Sequence, residues 1–448
     1  MNSDQDRNPR LIGLFTAISI VIANMIGTGV FTSLGYQVMG IKSGFALLSL
    51  WLVGGIFALC GALCYGELGA AMPRSGGEYL YLSKIYHPAL GFLSGWVSVT
   101  VGFAAPIALA AMALGQYFAV VFPVVPPMAI ALTVVIVVSL IHSQNLQLGS
   151  YFQDVFTISK LLLIVALIVC GFLLAEPQNL SFLPGAADLK AVFSAPYAVS
   201  MVFVTYAYSG WNASIYLASE VKEPEKNLPR SLLMGTAIVM VLYLLVNFIF
   251  LYGTPLAAID ALPIEEKPKV AAVAAEYIFG SVGGKIMSLL ISFGLISTIS
   301  SMVWAGPRVT QTIGEDIPFF KILARKNSSG IPHYAIFLQL AIVLVLTISS
   351  TFDAVTTYLG FTLTLSSFLT VLGVFVRRIR YPDAPSPYKT WGYPVTPIVF
   401  LAIALWILYF VLTQQPVESI AGLATILLGL PLYFFASKKK LVSSDSQN

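Results

Sequence analysis

The stretch MIGTGVF, residues 25–31, lies inside an apolar run that begins at Leu11 and has no charged residue before Lys42. Gly27 and Gly29 flank a threonine in this run. Glycine weakens a helix by about 1 kcal/mol relative to alanine, yet the run is long enough to be a membrane-spanning helix. We therefore predict a break in the helix here, which would leave backbone N–H and C=O groups open to a ligand.

The composition indicates an integral membrane protein. Hydrophobic residues make up 58% of the 448 and charged residues 10%, whereas a soluble domain is about 25% charged. The polar start, MNSDQDRNPR, precedes a run too long for a signal-peptide core, so we expect the first helix to remain in the protein. The few cysteines and histidines show no zinc spacing, no catalytic triad and no phosphate loop, which predicts no enzyme activity, no metal site and no cofactor.

Hydrophobic runs predict an all-α protein with twelve transmembrane helices. The predicted spans are 11–37, 44–72, 88–122, 127–142, 151–175, 191–219, 229–253, 278–306, 333–351, 355–376, 393–413 and 418–437.

Loop charges give the orientation. Of the 24 lysines and arginines, 18 fall in the terminal tails and in the loops on the same side, and five fall in the opposite loops. Positive charge favours the cytoplasmic side, so we predict that both termini are cytoplasmic. The basic pI reflects this loop bias and gives no support for nucleic-acid binding.

One lysine remains, Lys160, inside the fifth predicted span. A cation within a span usually faces a cavity or a polar partner. The alternative is that its long side chain carries the ammonium group to the membrane interface. Lys160 is the strongest functional candidate in the chain.

A second break is predicted in YAYSGWN, residues 206–212, where Ser209 and Gly210 interrupt an aromatic segment. Paired interrupted helices in the two halves of a chain are typical of inverted-repeat transporters. The N–H groups at Thr28 and Gly29 would attract a carboxylate, and carbonyls near Tyr206 an ammonium group, so an α-amino acid fits both. Close packing of helices through small residues is the alternative.

Five stretches in order resemble the amino acid, polyamine and organocation transporters, and within them the L-type amino acid transporter-like branch. They are IGTGVF (26–31), CYGELGAAMPRSGGEYLYL (64–82), YAYSGWN (206–212), EVKEPEKNLPRSL (220–232) and AGPRVTQTIGEDIPFF (305–320). The resemblance implies a LeuT-like five-plus-five inverted repeat with discontinuous helices 1 and 6 and two peripheral helices. It implies a cytoplasmic tail 1–10, repeats 11–180 and 181–380, helices 11 and 12 in 381–437, and a cytoplasmic tail 438–448.

The resemblance also implies roles for individual residues. The segment Met25, Ile26, Gly27, Thr28 and Gly29, with Tyr206, Ala207 and Ser209, would bind the substrate. Tyr206 would be a gate on the outside, and Trp211 and Asn212 would close the other side; packing is the alternative for all three.

By the same resemblance, Lys160 would take the place of a bound sodium ion. Its partner on helix 8 could be Ser297, Thr298, Ser300 or Ser301, and the lysine could either carry a proton or stay charged and brace the two bundles. Glu67, Glu220 and Arg230 would serve a cytoplasmic gate or the fold, with an ion pair to a loop Arg or Lys as the plainest role for Glu67.

The predicted function is sodium-independent transport of neutral L-amino acids by alternating access, as an exchanger. A proton-coupled symporter and an amine or polyamine antiporter remain alternatives; the spans contain few acids to balance a dication. A channel and a transporter-like sensor are disfavoured because the polar groups cluster at two breaks and the tails are short. The segment PVVPP, 123–127, has no cysteine for a disulfide-linked heavy chain, and a bacterial inner membrane is the expected location.

Overall fold

A computed structural model describes residues 12–144, 146–349 and 352–445. The predicted tail 1–10 and the last residues of the predicted tail 438–448 lie outside these ranges. The α-helices, labelled in chain order, are α1 Leu14–Met25, α2 Gly29–Gly40, α3 Gly44–Ala71, α4 Glu78–Ile85, α5 Pro88–Val97, α6 Ala104–Val121, α7 Pro127–Gln144, α8 Leu146–Leu174, α9 Ala186–Val192, α10 Ala195–Tyr208, α11 Pro224–Gly253, α12 Leu256–Asp260, α13 Val270–Asp316, α14 His333–Ser349, α15 Phe352–Arg380, α16 Val395–Gln414 and α17 Pro416–Asp445.

Other helical turns complete the secondary structure. Ser98–Gly102 is a π-helix, and 3-10 helices occupy Ala213–Glu220, Ile264–Lys269 and Pro318–Ala324. Within the described ranges, β-structure is limited to one isolated parallel bridge between Ile12 and Val221.

Ten helical segments of the described chain are long and apolar enough to cross a membrane. They coincide with ten of the twelve predicted spans. The predicted span 333–351 corresponds to α14, which has 17 residues. The predicted span 191–219 is divided between α10 and the 3-10 helix Ala213–Glu220. The chain is therefore a multi-span, all-helical membrane protein.

The eighth predicted span, 278–306, is too short at both ends. The structure has one helical element, α13, from Val270 to Asp316. Gly280 bends it near the start, with φ at 75°, a value that glycine adopts without strain. Pro307 lies inside the helix and does not end it, because proline removes one backbone hydrogen bond and usually bends a membrane helix whose neighbours support it.

Two sets of helices pack around the broken segments. Helix α11 lies along α3 and α1, and α13 lies along α6 and α8. Large apolar side chains face outward, for example Leu162 at 66% exposed and Leu173 at 76%. Lys160, on the same helix α8, is 2% exposed, so this helix presents apolar groups to the lipid and its polar group to the interior.

Candidate functional site

The first break lies at MIGTGVF. Helix α1 ends at Met25, and Ile26 has φ −75° and ψ 86°, which is not helical. A new helix, α2, starts at Gly29 after Thr28. The predicted interruption of the first span is therefore present.

The second break follows Tyr208, where α10 ends. Ser209 is extended, with ψ at 150°, and Gly210 has φ at 92°. The chain continues as the 3-10 helix Ala213–Glu220. The predicted interruption of the sixth span is present as well.

The two breaks are in contact. A Cβ atom on Gly29 would overlap the Cα atom of Ala207, and one on Gly210 would overlap the backbone of Asn24. Only glycine allows such an approach of two backbones. Small residues thus pack closely here, and the same contact brings the ends of four helical pieces together.

Tyr243 on α11 joins the two breaks, and the sequence analysis did not select it. Its hydroxyl lies 2.5 Å from the carbonyl oxygen of Met25 and 2.9 Å from that of Ala207, so its one proton is shared between the two acceptors. Tyr243 is buried. A tyrosine in the middle of an apolar span was the available signal, but only the fold brings its hydroxyl to both helix ends.

Lys160 on α8 reaches the end of α1. Its Nζ atom donates to the carbonyl oxygens of Ala23, at 3.0 Å, and Ile26, at 2.6 Å. It also donates to Oγ1 of Thr298 on α13, at 3.1 Å. Thr298 donates in turn to the carbonyl of Ile26, at 2.8 Å. The ammonium group is therefore held in the interior, and the alternative of a side chain extended to the membrane interface is wrong.

Among the four candidates on α13, Thr298 is the one in contact with Lys160. Ser297 instead contacts Thr157 at 3.1 Å, and Ser300 contacts His142 at 2.7 Å. Ser301 donates to the carbonyl of Thr298 in its own helix.

The start of α2 offers backbone donors. The described residues provide no hydrogen-bond acceptor for the N–H groups of Thr28 and Gly29. The side-chain hydroxyl of Thr28 is 2.5 Å from the hydroxyl of Tyr206. Free N–H groups and the positive end of the α2 dipole make this an anion-binding position.

A cavity of about 70 Å³ lies next to the breaks. This volume is enough for several water molecules. Its wall includes both ends of the π-helix Ser98–Gly102 and four of the predicted residues at the second break, namely Tyr206, Ser209, Trp211 and Asn212. The segment Met25–Gly29 lies beside the cavity and is not part of its wall.

Glu78 on α4 also lines this cavity, and the sequence analysis did not select it as a site residue. Its side chain is buried, with 5% exposed. Oε1 accepts hydrogen bonds from Tyr65 and Asn212, both at 2.9 Å, and Oε2 accepts one from Tyr216, at 2.5 Å. Burial raises the pKa of the Glu78 carboxyl, and the hydrogen bonds from these donors oppose that change without cancelling it.

Asn212 and Tyr216 connect Glu78 to the second break. Asn212 directly precedes the 3-10 helix Ala213–Glu220, and Tyr216 lies within it. Asn212 also donates to the Tyr216 hydroxyl, at 3.0 Å. The signal that could have found Glu78 was an acid after two glycines in SGGEYLYL, within an otherwise apolar stretch.

Glu67 forms an ion pair with Arg378 at the end of α15. The two N–O distances are 2.9 and 2.7 Å. Thr390 adds donations from its backbone N–H and its hydroxyl, both at 2.8 Å. All these contacts tie the end of α3 to the end of α15, which agrees with the plain ion-pair reading of Glu67.

Glu220 and Arg230 are in different environments. Glu220 is 3.3 Å from Arg308 on α13, and both side chains are largely buried. Arg230 is exposed.

A separate cluster joins the loop after α3 to the end of α13, where Arg74 is 2.8 Å from Asp316.

Comparison with known proteins identifies the family of the chain. A sequence model of amino acid permeases matches residues 12–430. The chain is 28% identical to the serine/threonine exchanger SteT of Bacillus subtilis, over 98% of this chain and all of the relative. It is 28% identical to the large neutral amino acids transporter small subunit 2 of Homo sapiens, over 94% of this chain and 79% of the relative. It is 26% identical to the b(0,+)-type amino acid transporter 1 of Homo sapiens, over 94% and 87%.

Proposed function

Because this chain belongs to the amino acid permease family, we propose that it transports neutral L-amino acids across the cell membrane, without sodium, by exchange. The observation that carries the proposal is the contact between two broken helices. It combines free N–H groups at Thr28 and Gly29 with backbone carbonyls a few residues away. The names of the relatives, among them a serine/threonine exchanger and a large neutral amino acids transporter, support this substrate class.

The substrate carboxylate would bind at the start of α2. The free N–H groups of Thr28 and Gly29 would donate to it, since Gly29 has no side chain in the way. The Thr28 hydroxyl would be a third donor once its bond to Tyr206 opens. Helix N-termini bind such groups because their dipoles and their unpaired N–H groups act together.

The substrate ammonium group would bind carbonyl oxygens at the two breaks. The candidates are Met25 and Ile26 at the first break, and Tyr206, Ala207 and Ser209 at the second. Tyr243 now donates to the carbonyls of Met25 and Ala207, so an arriving ammonium group would replace it as the donor. Gly27 would let the chain turn between these carbonyls and the N–H groups.

Three side chains would control access. The hydrogen bond between Thr28 and Tyr206 would have to break for one gate to move. On the other side, Trp211 packs edge-on against Tyr65, with ring centres 4.6 Å apart, and Asn212 is bonded to Glu78. Alternating access would open one of these contacts at a time.

Lys160 would serve where related transporters hold a sodium ion. Its ammonium group already satisfies carbonyls at the end of α1 and a hydroxyl on α13, which an ion would otherwise do. This arrangement favours an exchanger, because exchange needs no net ion flow.

The arrangement of the helices fits a transporter built from two repeats. Ten membrane-long segments with α10 and α14 give twelve helices, in which 11–180 and 181–380 would be inverted repeats and 381–437 would hold two peripheral helices. Lysine and arginine positions favour cytoplasmic termini. We further propose a bacterial inner membrane and no disulfide-linked heavy chain.

The test is uptake of radiolabelled neutral amino acids into proteoliposomes, empty or preloaded, with and without sodium and a pH gradient. Uptake that requires internal amino acid and ignores sodium would support an exchanger. Uptake into empty vesicles driven by a proton gradient would instead identify a symporter. Flux of amines without flux of amino acids would overturn the substrate class.

A further inference from the structure

Glu78 is a buried acid that the proposed transport cycle uses only as the hydrogen-bond partner of Asn212. Within the described ranges, no lysine or arginine lies within ion-pair distance of it. Its hydrogen-bond donors, Tyr65, Asn212 and Tyr216, are all neutral groups. A buried carboxylate without a cation is expensive, so its retention here calls for a functional explanation.

The cavity beside Glu78 has the matching chemistry. Glu78 is the one acid of its described wall, and that wall contains no lysine, arginine or histidine. The remaining polar side chains there are hydroxyls, amides and the indole of Trp211, and the hydroxyls and amides can accept hydrogen bonds as well as donate them. When Glu78 is ionised, the wall therefore has negative charge and no positive charge, which favours a small cation.

The cavity also borders the proposed substrate site. Tyr206 and Ser209 belong to both, and Asn24 of α1 lies on the wall next to them. A solute that leaves the two breaks past Tyr206 and Ser209 would therefore enter this cavity. The carbonyls of Met25, Ile26 and Ala207 already accept from Tyr243, Lys160 and Thr298. Compared with the neutral carbonyls that remain, the carboxylate of Glu78 is the stronger acceptor for an ammonium group.

We propose that Glu78 binds the α-ammonium group of the amino acid while the substrate passes through the cavity. This inference rests on the proposed function and adds a second, transient position to it. Tyr65 and Tyr216 hold the carboxylate in place, and Asn212 connects it to the 3-10 helix behind the second break. An ammonium group that binds Glu78 would therefore change the hydrogen bond to Asn212, and through it the position of the 3-10 helix Ala213–Glu220.

The site is charged only when the Glu78 carboxyl has lost its proton. The titratable groups that face it are Tyr65 on α3, Tyr216 on the 3-10 helix and Tyr81 on its own helix. Tyrosines of this kind are neutral near pH 7. Because burial raises the pKa of Glu78, higher pH should strengthen binding of the ammonium group at this position.

The experiment is exchange of L-serine, L-threonine and L-leucine by the full chain in proteoliposomes in sodium-free potassium buffer. The KM is measured separately for each face of the membrane, for wild type, Glu78→Gln, Glu78→Asp and Glu223→Gln. Glu78→Gln keeps the shape and removes the charge. Glu223, an exposed glutamate in a different loop, is the matched control.

For Glu78→Gln we expect the KM on one face to rise about tenfold, with the KM on the other face unchanged, because a hydrogen bond to a charged group is lost. Glu78→Asp should be intermediate and Glu223→Gln unchanged. In wild type the KM on the same face should fall as pH rises, and in Glu78→Gln it should not. The wild-type pH series tests the proposal even where a variant fails to fold.

An equal fall in maximal rate for both faces with both KM values unchanged would overturn the inference, because Glu78 would then be a structural contact. A KM on that face that ignores pH in wild type would overturn it too. An effect that appears only when sodium replaces potassium would assign the site to a metal ion. Failure of wild type to exchange any of the three amino acids would instead count against the proposed function itself.

Discussion

The ammonium group of Lys160 lies 2.6 Å from the carbonyl oxygen of Ile26, the residue directly after the end of α1. This contact joins α8 to the first break. It supplies a charged donor to a carbonyl that has lost its helical partner. Without Lys160, Thr298 would be the one described donor left to that oxygen.

Lys160→Ala should therefore lower the exchange rate by a factor of about 10 to 100, because two carbonyls and Thr298 lose a charged donor. The measurement is exchange of labelled neutral amino acid in proteoliposomes without sodium. Lys190→Ala, at an exposed lysine of α9, is the control and should keep the wild-type rate. Full activity of Lys160→Ala, or a sodium requirement in wild type, would contradict the assigned role.

Gly29→Ala should abolish exchange, since the added Cβ atom would overlap the backbone of Ala207 and push the two breaks apart. The measurements are the exchange rate and the size-exclusion elution profile in detergent, which reports whether the variant is folded. Gly13→Ala is the matched control, because a Cβ atom there meets no atom within 4 Å. A normal rate in Gly29→Ala would show that the contact between the breaks is not required.

Tyr243→Phe should slow exchange and reduce the free energy of unfolding by about 1–3 kcal/mol, because two buried carbonyls lose their donor. Thermal unfolding in detergent and the exchange rate report the two effects. Tyr409→Phe, at a tyrosine that is 63% exposed, should change neither. If the melting temperature of Tyr243→Phe equals that of wild type, the bridge does not stabilise the breaks.

Glu67→Gln should reduce the free energy of unfolding by about 3 kcal/mol, since Arg378 would keep its charge in a partly buried site without its partner. The melting temperature in detergent is the readout. The exposed pair of Glu223 and Lys226 gives the control, and Glu223→Gln should leave the melting temperature unchanged. A transport defect in Glu67→Gln at unchanged melting temperature would favour a gate role over the structural one.

Glu78 should make stability depend on pH in a defined direction. Its pKa is raised above the ordinary value of 4.5, so the folded protein binds this proton more tightly than the unfolded chain does. The contribution of Glu78 to the free energy of unfolding should then be fully present below pH 4.5 and be lost as pH rises through the folded pKa. The difference in melting temperature between wild type and Glu78→Gln, followed from pH 4 to about pH 8, should show this trend; a constant difference would contradict it.

Local chemistry made several features predictable. The apolar runs have the length of a membrane helix, and glycine or serine pairs weaken a helix wherever they occur. Both breaks, and ten membrane-long segments, follow from these local properties. Lys160 could be selected as well, because a charge in an apolar span is rare whatever surrounds it.

Contacts between distant segments were not predictable in the same way. The choice of Thr298 among four hydroxyl residues on α13 depends on the rotation of that helix against α8 and α1. The same holds for Tyr243, whose hydroxyl reaches carbonyls 218 and 36 residues away in the chain. The continuation of α13 to Asp316 depends on the neighbours that support the helix past Pro307.

The sequence by itself therefore determined the membrane class, the helical spans and the positions of the breaks, because hydrophobicity and helix propensity act over a few neighbouring residues. Only the tertiary structure decided which groups meet at those breaks, and it placed Glu78 on the wall of the cavity. A hydrogen bond requires two atoms to lie within about 3 Å. That condition depends on how whole helices pack, and no local pattern records it.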